Sequence, residues 1–301
     1  MKIAISGSTG FIGKQLSKFF LQSGNELIVI SRDDFAGGCN QLAKVIKSAD
    51  VIINLAGASV LQKWSKKNKH LILSSRIDTT NLLVEAVLMN LSEHRPHVFI
   101  NASAIGIYED FKSHDEFSTA LGSDFLASVC KAWENATVAL KEADLRLCTI
   151  RIGIVLGVTG GSFMKMMPLF KAGLGGKIGS GMQPFSFIHI SDFCRAIEYL
   201  IKNDNSIGVY NMACPEPTTN KLFTNTLANF LHRPAFFTVP EFALKLFYGE
   251  AAGMLTKGAR VISTRLQEEG FRFQYPDITS AIADLTKKER YKFNNSEKPI
   301  L

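Results

Sequence analysis

Ile3-Ala4-Ile5-Ser6-Gly7-Ser8-Thr9-Gly10-Phe11-Ile12-Gly13 constrains the architecture more tightly than any other stretch of the chain. A short apolar run, then glycines three apart, then a helical pattern is how a first strand delivers a dinucleotide to a helix N-terminus. Gly7 permits the tight turn, Gly10 lets a pyrophosphate approach the backbone, and Gly13 lets helix and strand pack closely. The free N–H groups and positive end of that helix then face the phosphates. Gly7, Thr9, Gly10, Phe11, Ile12 and Gly13 are therefore candidate cofactor-binding residues.

Such a glycine triplet depends on its context. Ile12, Leu16, Phe19 and Phe20 form an apolar helical face. Gly24 sits where a C-cap would end that helix, and Leu27-Ile28-Val29-Ile30 reads as a second buried strand.

Working outward, 301 residues suffice for one large domain or two modest ones. A hydrophobic content of 46% and a charged content of 20% suit a globular protein. The longest apolar runs, such as Val51–Ala56, are too short to span a bilayer. The N-terminus lacks the layout of a signal peptide, so a cytoplasmic location is expected. Five scattered cysteines (Cys39, Cys130, Cys148, Cys194, Cys214) without a C-x-x-C pair read as reduced thiols. His94 and His97 have no partners at metal spacing. The net charge of +7 comes partly from Lys63–His70 and Lys287–Arg290. Neither cluster belongs to a nucleic-acid module, so no nucleic-acid partner is expected. They read as solvated faces with a mild attraction for phosphorylated ligands.

Apolar strands alternate with helical stretches through the first half, which predicts an α/β fold with a doubly wound parallel Rossmann sheet. Expected helices cover about 40–48, 66–90 and 124–143. Expected strands cover 51–56, 97–103 and 147–152. The interval from Arg32 to Asp50 is too short for a full crossover, so the adenine side of the sheet should be trimmed. From Gly157 onward glycines and Met164, Met166 and Met167 crowd the chain, indicating loops and adaptable packing. Then 185–190 reads as a return strand, 192–203 as a helix and 209–213 as a last strand. Helices are expected at 219–232, 241–248 and 258–269, with a small strand at 271–273. The expected division is residues 1–156 as the dinucleotide-binding domain, its sheet completed by about 184–213. Residues 157–183 and 214–301 would form a smaller, mostly helical cap over the sheet's carboxyl edge.

Several separated motifs line up with one family. They are Gly7–Gly13, Asn54-Leu55-Ala56-Gly57, Ser75-Arg76 with Thr79-Thr80, Ala132-Trp133-Glu134, Arg151–Gly157, Gly175–Gly181, Ile188-His189-Ile190-Ser191-Asp192, Arg233-Pro234 and Gly270–Asp277. In this order the chain resembles the extended short-chain dehydrogenase/reductases. Within them it is most similar to the atypical epimerase-family branch (NAD-dependent epimerase/dehydratase-like) with its own C-terminal domain. The resemblance implies that Leu55, Ala56 and Gly57 line the adenosine or ribose side. It also implies that Arg76 lies near the cofactor, the competing reading being an ordinary helix-surface charge.

The end of the second strand chooses the cofactor. An acid there holds a ribose 2′-hydroxyl, whereas a nearby arginine suits a 2′-phosphate. Here the strand ends in Ser31-Arg32, which favours NADP(H) over NAD(H), with Ser31 as a further donor. Asp33 and Asp34 oppose this, and in the competing reading Arg32 merely neutralises them.

Most short-chain dehydrogenases carry a tyrosine and a lysine four residues apart, the lysine lowering the tyrosine pKa for proton exchange with substrate. Counting back from Glu134, those positions here hold Leu126 and Cys130. Lys131 is about 100° around the helix from Cys130 and a poor stand-in. The candidate catalytic residues left are Ser103, which holds a substrate oxygen or closes a buried strand, and Tyr108, a ring wall or a proton donor. His189 reads as structural, Asp192 as a helix N-cap, and Arg151 either reaches the site or braces the sheet.

These features describe an NADP(H)-binding oxidoreductase or epimerase-like protein acting on a small molecule. By resemblance, the substrate is a nucleotide-sugar-like or small carbonyl or alcohol compound. A homodimer is compatible with this reading. The alternative is a non-catalytic nicotinamide-dinucleotide sensor whose cap orders on binding.

Overall fold

A computed structural model describes residues 1–296. Six parallel strands form its sheet: β1 (Lys2–Ser6), β2 (Glu26–Ile30), β3 (Val51–Asn54), β4 (Val98–Ala104), β5 (Arg146–Ile152) and β6 (Gly208–Met212). Their order is β6-β5-β4-β3-β1-β2. The chain goes one way from β1 to β2 and the other way from β1 to β3, so the topological switch point lies at β1, where such sheets bind ligands.

The central strands are apolar on both faces because helices cover both. Ile3, Ile5, Val51, Ile53, Val98 and Ile100 pack on one side, and Ala4, Ile52 and Phe99 on the other. The first face is covered by Leu16 and Phe20 of α1 (Phe11–Gln22). Between β2 and β3 there is no further strand, only α2 (Arg32–Ala36) and α3 (Gly38–Ile46). β2 is therefore the sheet's edge, trimmed as the short interval predicts. Leu42 and Ile46 of α3 cover the second face with Leu83, Val84 and Val87 of α4 (Lys66–Met89).

The helix expected over 124–143 ends early. α5 (Phe125–Asn135) is capped by Asp124, whose carboxylate accepts from Ala127 N at 2.8 Å. At its end Thr137 turns its hydroxyl back to Glu134 O (2.8 Å), and a 3-10 turn over Val138–Glu142 follows.

In the second half, α7 (Ile190–Lys202) and α8 (Asn220–Leu231) match the helical stretches, whereas the methionine-rich segment expected as loop forms a helix, α6 (Gly161–Lys171), with Phe163, Met167 and Phe170 buried. The return strand is shorter than expected. Only Phe187–His189 is extended, and it pairs with Ile154–Leu156 in a separate two-stranded ribbon. α9 (Glu241–Tyr248) precedes α10 (Gly253–Thr256). The helix expected over 258–269 forms only at its end: Arg260–Val261 pairs with Ser113–His114 before α11 (Thr264–Glu268). Branched Val261 and Ile262 favour the extended form. The Glu116 carboxylate then accepts from Thr264 N and Arg265 N (3.1 and 3.3 Å) and starts the helix.

The strand expected at Phe271-Arg272-Phe273 is not one. Nearby backbone donors go to a side chain instead: Asp192 accepts from Gln274 N (2.9 Å) and Tyr275 N (2.8 Å). Phe271 packs edge-on against Tyr199 and Phe273. α12 (Ile278–Ser296) closes a separate apolar cluster of Phe163, Phe170, Phe185, Phe187, Phe223 and Ile282. No helix among the described residues is long and apolar enough to cross a membrane.

Candidate cofactor site

The glycine turn has the geometry its spacing predicts. Gly7 sits at φ +71°, and a Cβ there would lie 2.7 Å from Leu55 O, at the end of β3. A Cβ on Gly13 would lie 2.3 Å from Gly7 O, so helix and turn touch backbone to backbone. Gly10 is the N-cap of α1 and offers no side-chain cap. The first turn of α1 also carries no acidic residue. Its orphan N–H groups, on Phe11, Ile12 and Gly13, stay available for an anion. The Phe11 ring points elsewhere: Cβ atoms on Gly157, Gly160 or Gly161 would fall 2.6–3.1 Å from it. Part of the glycine-rich stretch is thus the floor of a slot for Phe11, so only the Phe11 backbone is positioned for phosphate.

On the β2 side, Ser31 caps α2 in a reciprocal capping box. Asp34 Oδ2 accepts from Ser31 N (2.8 Å) and Ser31 Oγ (2.6 Å). These bonds hold the Asp34 carboxyl below its ordinary pKa. The Ser31 hydroxyl proton is therefore committed within the chain, a correction to its expected role as a further donor. Arg32 is exposed and makes no ion pair with Asp33 or Asp34. The competing reading, in which it neutralises those acids, does not describe the geometry.

Beneath the central strands lies a buried polar chain. Ser6 Oγ donates to Asn54 Oδ1 (2.6 Å) and accepts from Leu55 N and Ala56 N (3.1 and 3.2 Å). Asn54 Nδ2 donates to Thr80 Oγ1 and Asn101 Oδ1, each at 2.8 Å. Trp133 Nε1 donates to the same Thr80 hydroxyl (3.0 Å). This network fixes the Leu55-Ala56-Gly57 segment and the indole of Trp133 together. Buried polar groups are tolerated here because each is paired.

Arg76 is not a surface charge. Its guanidinium carbon lies 5.0 Å from the Trp133 ring centroid, and a Cβ on Gly57 would meet it at 3.0 Å. Nη1 donates to Ile72 O (2.9 Å). Burial lowers its pKa, the neighbouring Cys130 acting in the opposite sense.

At the ends of β4 and β5 a second network closes on itself. Ser103 is 2% exposed, and its Oγ donates to Glu134 Oε1 (2.6 Å). Arg151 grips Glu134 bidentately, Nε to Oε1 and Nη2 to Oε2, both at 2.9 Å. Its Nη1 donates to Tyr108 Oη at 2.9 Å. Tyr108 Oη lies 2.9 Å from both Asp115 O and Asn211 Oδ1. Its ring stacks on His114 at 4.8 Å. Burial pushes the Tyr108 phenol up in pKa, against the pull of Arg151. Arg151 thus braces the sheet end.

Cys130 is buried, and burial, aided by Glu134, pushes its thiol up to about 11. That position therefore carries no charge at neutral pH. Lys131 faces a hollow of about 550 Å³ behind α5, and its Nζ donates to Gly122 O (2.8 Å). The N-cap of α7 is His189, not Asp192: His189 Nδ1 accepts from Ser191 N at 3.1 Å, while buried Asp192 pairs with Arg195 at 2.7 Å.

Sequence reasoning missed the Glu134–Arg151 grip, Asn211 and the Trp133 platform. Ala132-Trp133-Glu134 was visible only as a motif, because contacts between elements leave no spacing signal.

Residues 3–213 match the model of the NAD dependent epimerase/dehydratase family, and residues 239–285 match a domain of unknown function, DUF1731. An epimerase family protein of Staphylococcus saprophyticus is 35% identical over 293 residues, 93% of this chain and 98% of its own. The chloroplastic epimerase family protein SDR39U1 homolog of Arabidopsis thaliana is 33% identical over 94% of this chain and 86% of its own. The structure of human epimerase family protein SDR39U1 (isoform2) with NADPH superposes with a TM-score of 0.88 at 29% identity, covering 95% of this chain and 99% of its own. The nucleoside-diphosphate sugar epimerase of Corynebacterium glutamicum gives 0.75 at 29% identity, covering 99% of this chain and 62% of its own.

Proposed function

The chain belongs to the NAD dependent epimerase/dehydratase family, and from that premise we propose that it binds NADP(H) in preference to NAD(H) and works on a small carbonyl or alcohol compound of nucleotide-sugar type. The observation that carries the cofactor choice is Arg32. It is exposed at the end of β2, unpaired, beside an Asp34 whose carboxylate is turned back onto Ser31. A guanidinium free on its face can grip a 2′-phosphate bidentately. The human relative solved with NADPH supports the same choice. The name of the Corynebacterium relative supports the substrate class.

When bound, the cofactor supplies hydride chemistry. The N–H groups of Phe11, Ile12 and Gly13 would hold its pyrophosphate, with Thr9 in the same turn, while the Gly10 N–H donates to Gly7 O at 3.0 Å. Ser31 and Arg32 would face the cofactor's 2′-phosphate, and Leu55, Ala56 and Gly57 would line the adenosine or ribose side. Ser103, whose proton goes to Glu134, offers its lone pairs to a substrate hydroxyl and so orients an alcohol. Tyr108 serves as wall, its hydroxyl held from three sides.

A second reading, a nicotinamide sensor without turnover, is favoured by one feature. The hydroxyls of Ser103 and Tyr108 are both engaged inside the protein, and Leu126 and Cys130 stand where a proton-exchanging pair would be.

The test is a calorimetric titration with NADPH and NADH, then a screen of carbonyl compounds and nucleotide sugars while the reduced nicotinamide absorbance is followed. Tighter NADPH than NADH binding is expected, and equal or reversed affinities overturn the cofactor assignment. Turnover identifies an enzyme. No turnover, with residues after 214 gaining protease resistance on NADPH addition, identifies the sensor.

A further inference from the structure

We propose that the hollow of about 550 Å³ behind α5 is a second binding site, separate from the dinucleotide cleft, for a small carboxylate with an apolar body. Two features of the fold open it. β6 is the last strand on its side of the sheet, and α5 stops at Asn135 where the sequence spacing would carry a helix to 143. A 3-10 turn over Val138–Glu142 takes its place, and part of the β5–β6 face meets the hollow instead of a helix. Leu147, Thr149 and Arg151, alternate residues of β5, line that face with Val209 of β6. The volume falls within the range of about 300–1,000 Å³ typical of sites for small organic ligands.

The lining says what such a ligand must carry. Leu121, Val138, Leu145, Leu147, Ile207 and Val209 supply apolar wall. Glu134 and Arg151 also line it, but their bidentate grip neutralises both charges. Lys131 and Lys141 remain, and no carboxylate pairs with either among the described residues. Lys131 donates to a carbonyl, Gly122 O, and Lys141 has no hydrogen-bond partner among the described residues. The hollow therefore carries an excess of positive charge that an anion would answer. Thr149 is an independent sign. It is 6% exposed and lines the hollow, and its hydroxyl makes no hydrogen bond among the described residues. A buried hydroxyl without a partner is unfavourable, and an oxygen acceptor on a ligand would relieve it. Ammonium groups and a hydroxyl donor set among hydrocarbon match a carboxylate, which accepts from several donors at once, joined to an apolar body. Glu134 links the hollow to Ser103, whose hydroxyl it accepts at 2.6 Å, so a ligand here lies against the group that holds the candidate catalytic serine.

The experiment follows the backbone amide signals of the full chain by nuclear magnetic resonance during titration with octanoate, and with 1-octanol as a neutral probe of equal length. Octanoate is expected to shift the signals of Val138, Thr149 and Val209 saturably, whether or not NADPH is present. The double variant Lys131→Gln, Lys141→Gln is expected to bind octanoate about tenfold more weakly and 1-octanol within about twofold, because only charge-assisted bonds are lost. Thr149→Val removes the hydroxyl at nearly constant volume and is expected to weaken octanoate at least about threefold. Both lysines are exposed, and circular dichroism melts check that the double variant folds. Should it unfold, Lys141→Gln alone decides, with an expected loss of about threefold. No saturable shift around the hollow, displacement of octanoate by NADPH, unchanged octanoate binding in the folded lysine variant, or an equal loss of octanoate and 1-octanol there overturns the assignment.

Discussion

The two ends of the cleft are built in opposite ways. Around β1, α1 and β2 the protein leaves groups open: an uncapped helix start at Gly10 and an exposed, unpaired Arg32. Around β4, α5 and β5 it closes them, with Ser103, Glu134, Arg151, Tyr108 and Asn211 bonded in one buried chain. Open groups are ready for a ligand. Closed groups hold the fold. The contrast separates ligand-ready groups at the glycine turn from fold-holding groups beside α5.

The sharpest way to break this contrast is at the turn. Gly13→Val places side-chain carbon where Gly7 O already lies 2.3 Å from a built Cβ. Backbone cannot yield as a flexible side chain can, so the variant should lose roughly 4 kcal/mol or more of stability, and dinucleotide binding with it. Denaturant melts and calorimetry check both losses. A stable variant that still binds NADPH would show that the close approach is not needed.

The closed end should answer differently. Arg151→Met leaves Glu134 in a buried place without its partner, where the side chains are only 8% and 18% exposed. Breaking such a pair should cost about 3 kcal/mol of stability. NADPH affinity should change less than about twofold, because Arg151 faces Glu134 and Tyr108 and not the turn. A large affinity loss with little change in melting would erase the distinction between the two ends.

Legibility in the sequence follows the same division. The glycine turn, the strands and the trimmed β2 edge could be read because each rests on local spacing: three-residue glycine steps, apolar runs and the short 32–50 interval. The expected helix over 258–269 failed because Glu116, 148 residues away from Thr264, sets where α11 starts. The expected strand at 271–273 failed because Asp192 takes the neighbouring backbone donors across 82 residues. The partners of Ser103 and Tyr108 were hidden for the same reason. Glu134 lies 31 residues from Ser103, and Asn211 lies 103 residues from Tyr108. Periodicity carries no trace of bonds that depend on how helices dock.

Arg32→Glu tests whether the open end discriminates between cofactors. It removes the proposed bidentate partner of a 2′-phosphate and substitutes a repelling charge. NADPH affinity should fall about 100-fold, equivalent to about 2.7 kcal/mol, and NADH affinity less than about threefold. Equal loss for both would mean that Arg32 reads the common part of the cofactor.

The smallest effect belongs to Asp34→Ala and is the most discriminating about local design. Asp34 is an acid two residues from the proposed phosphate-gripping arginine, and its carboxylate bonds to Ser31 N and Ser31 Oγ. If that carboxylate serves the cap, its loss should cost up to about 1 kcal/mol of stability. The same change frees the Ser31 hydroxyl proton and removes a negative charge near the proposed 2′-phosphate site, so NADPH affinity should hold or rise by a few-fold. A fall in NADPH affinity would show that the capping box positions Arg32, and that even the open end of the cleft depends on a bond closed within the chain.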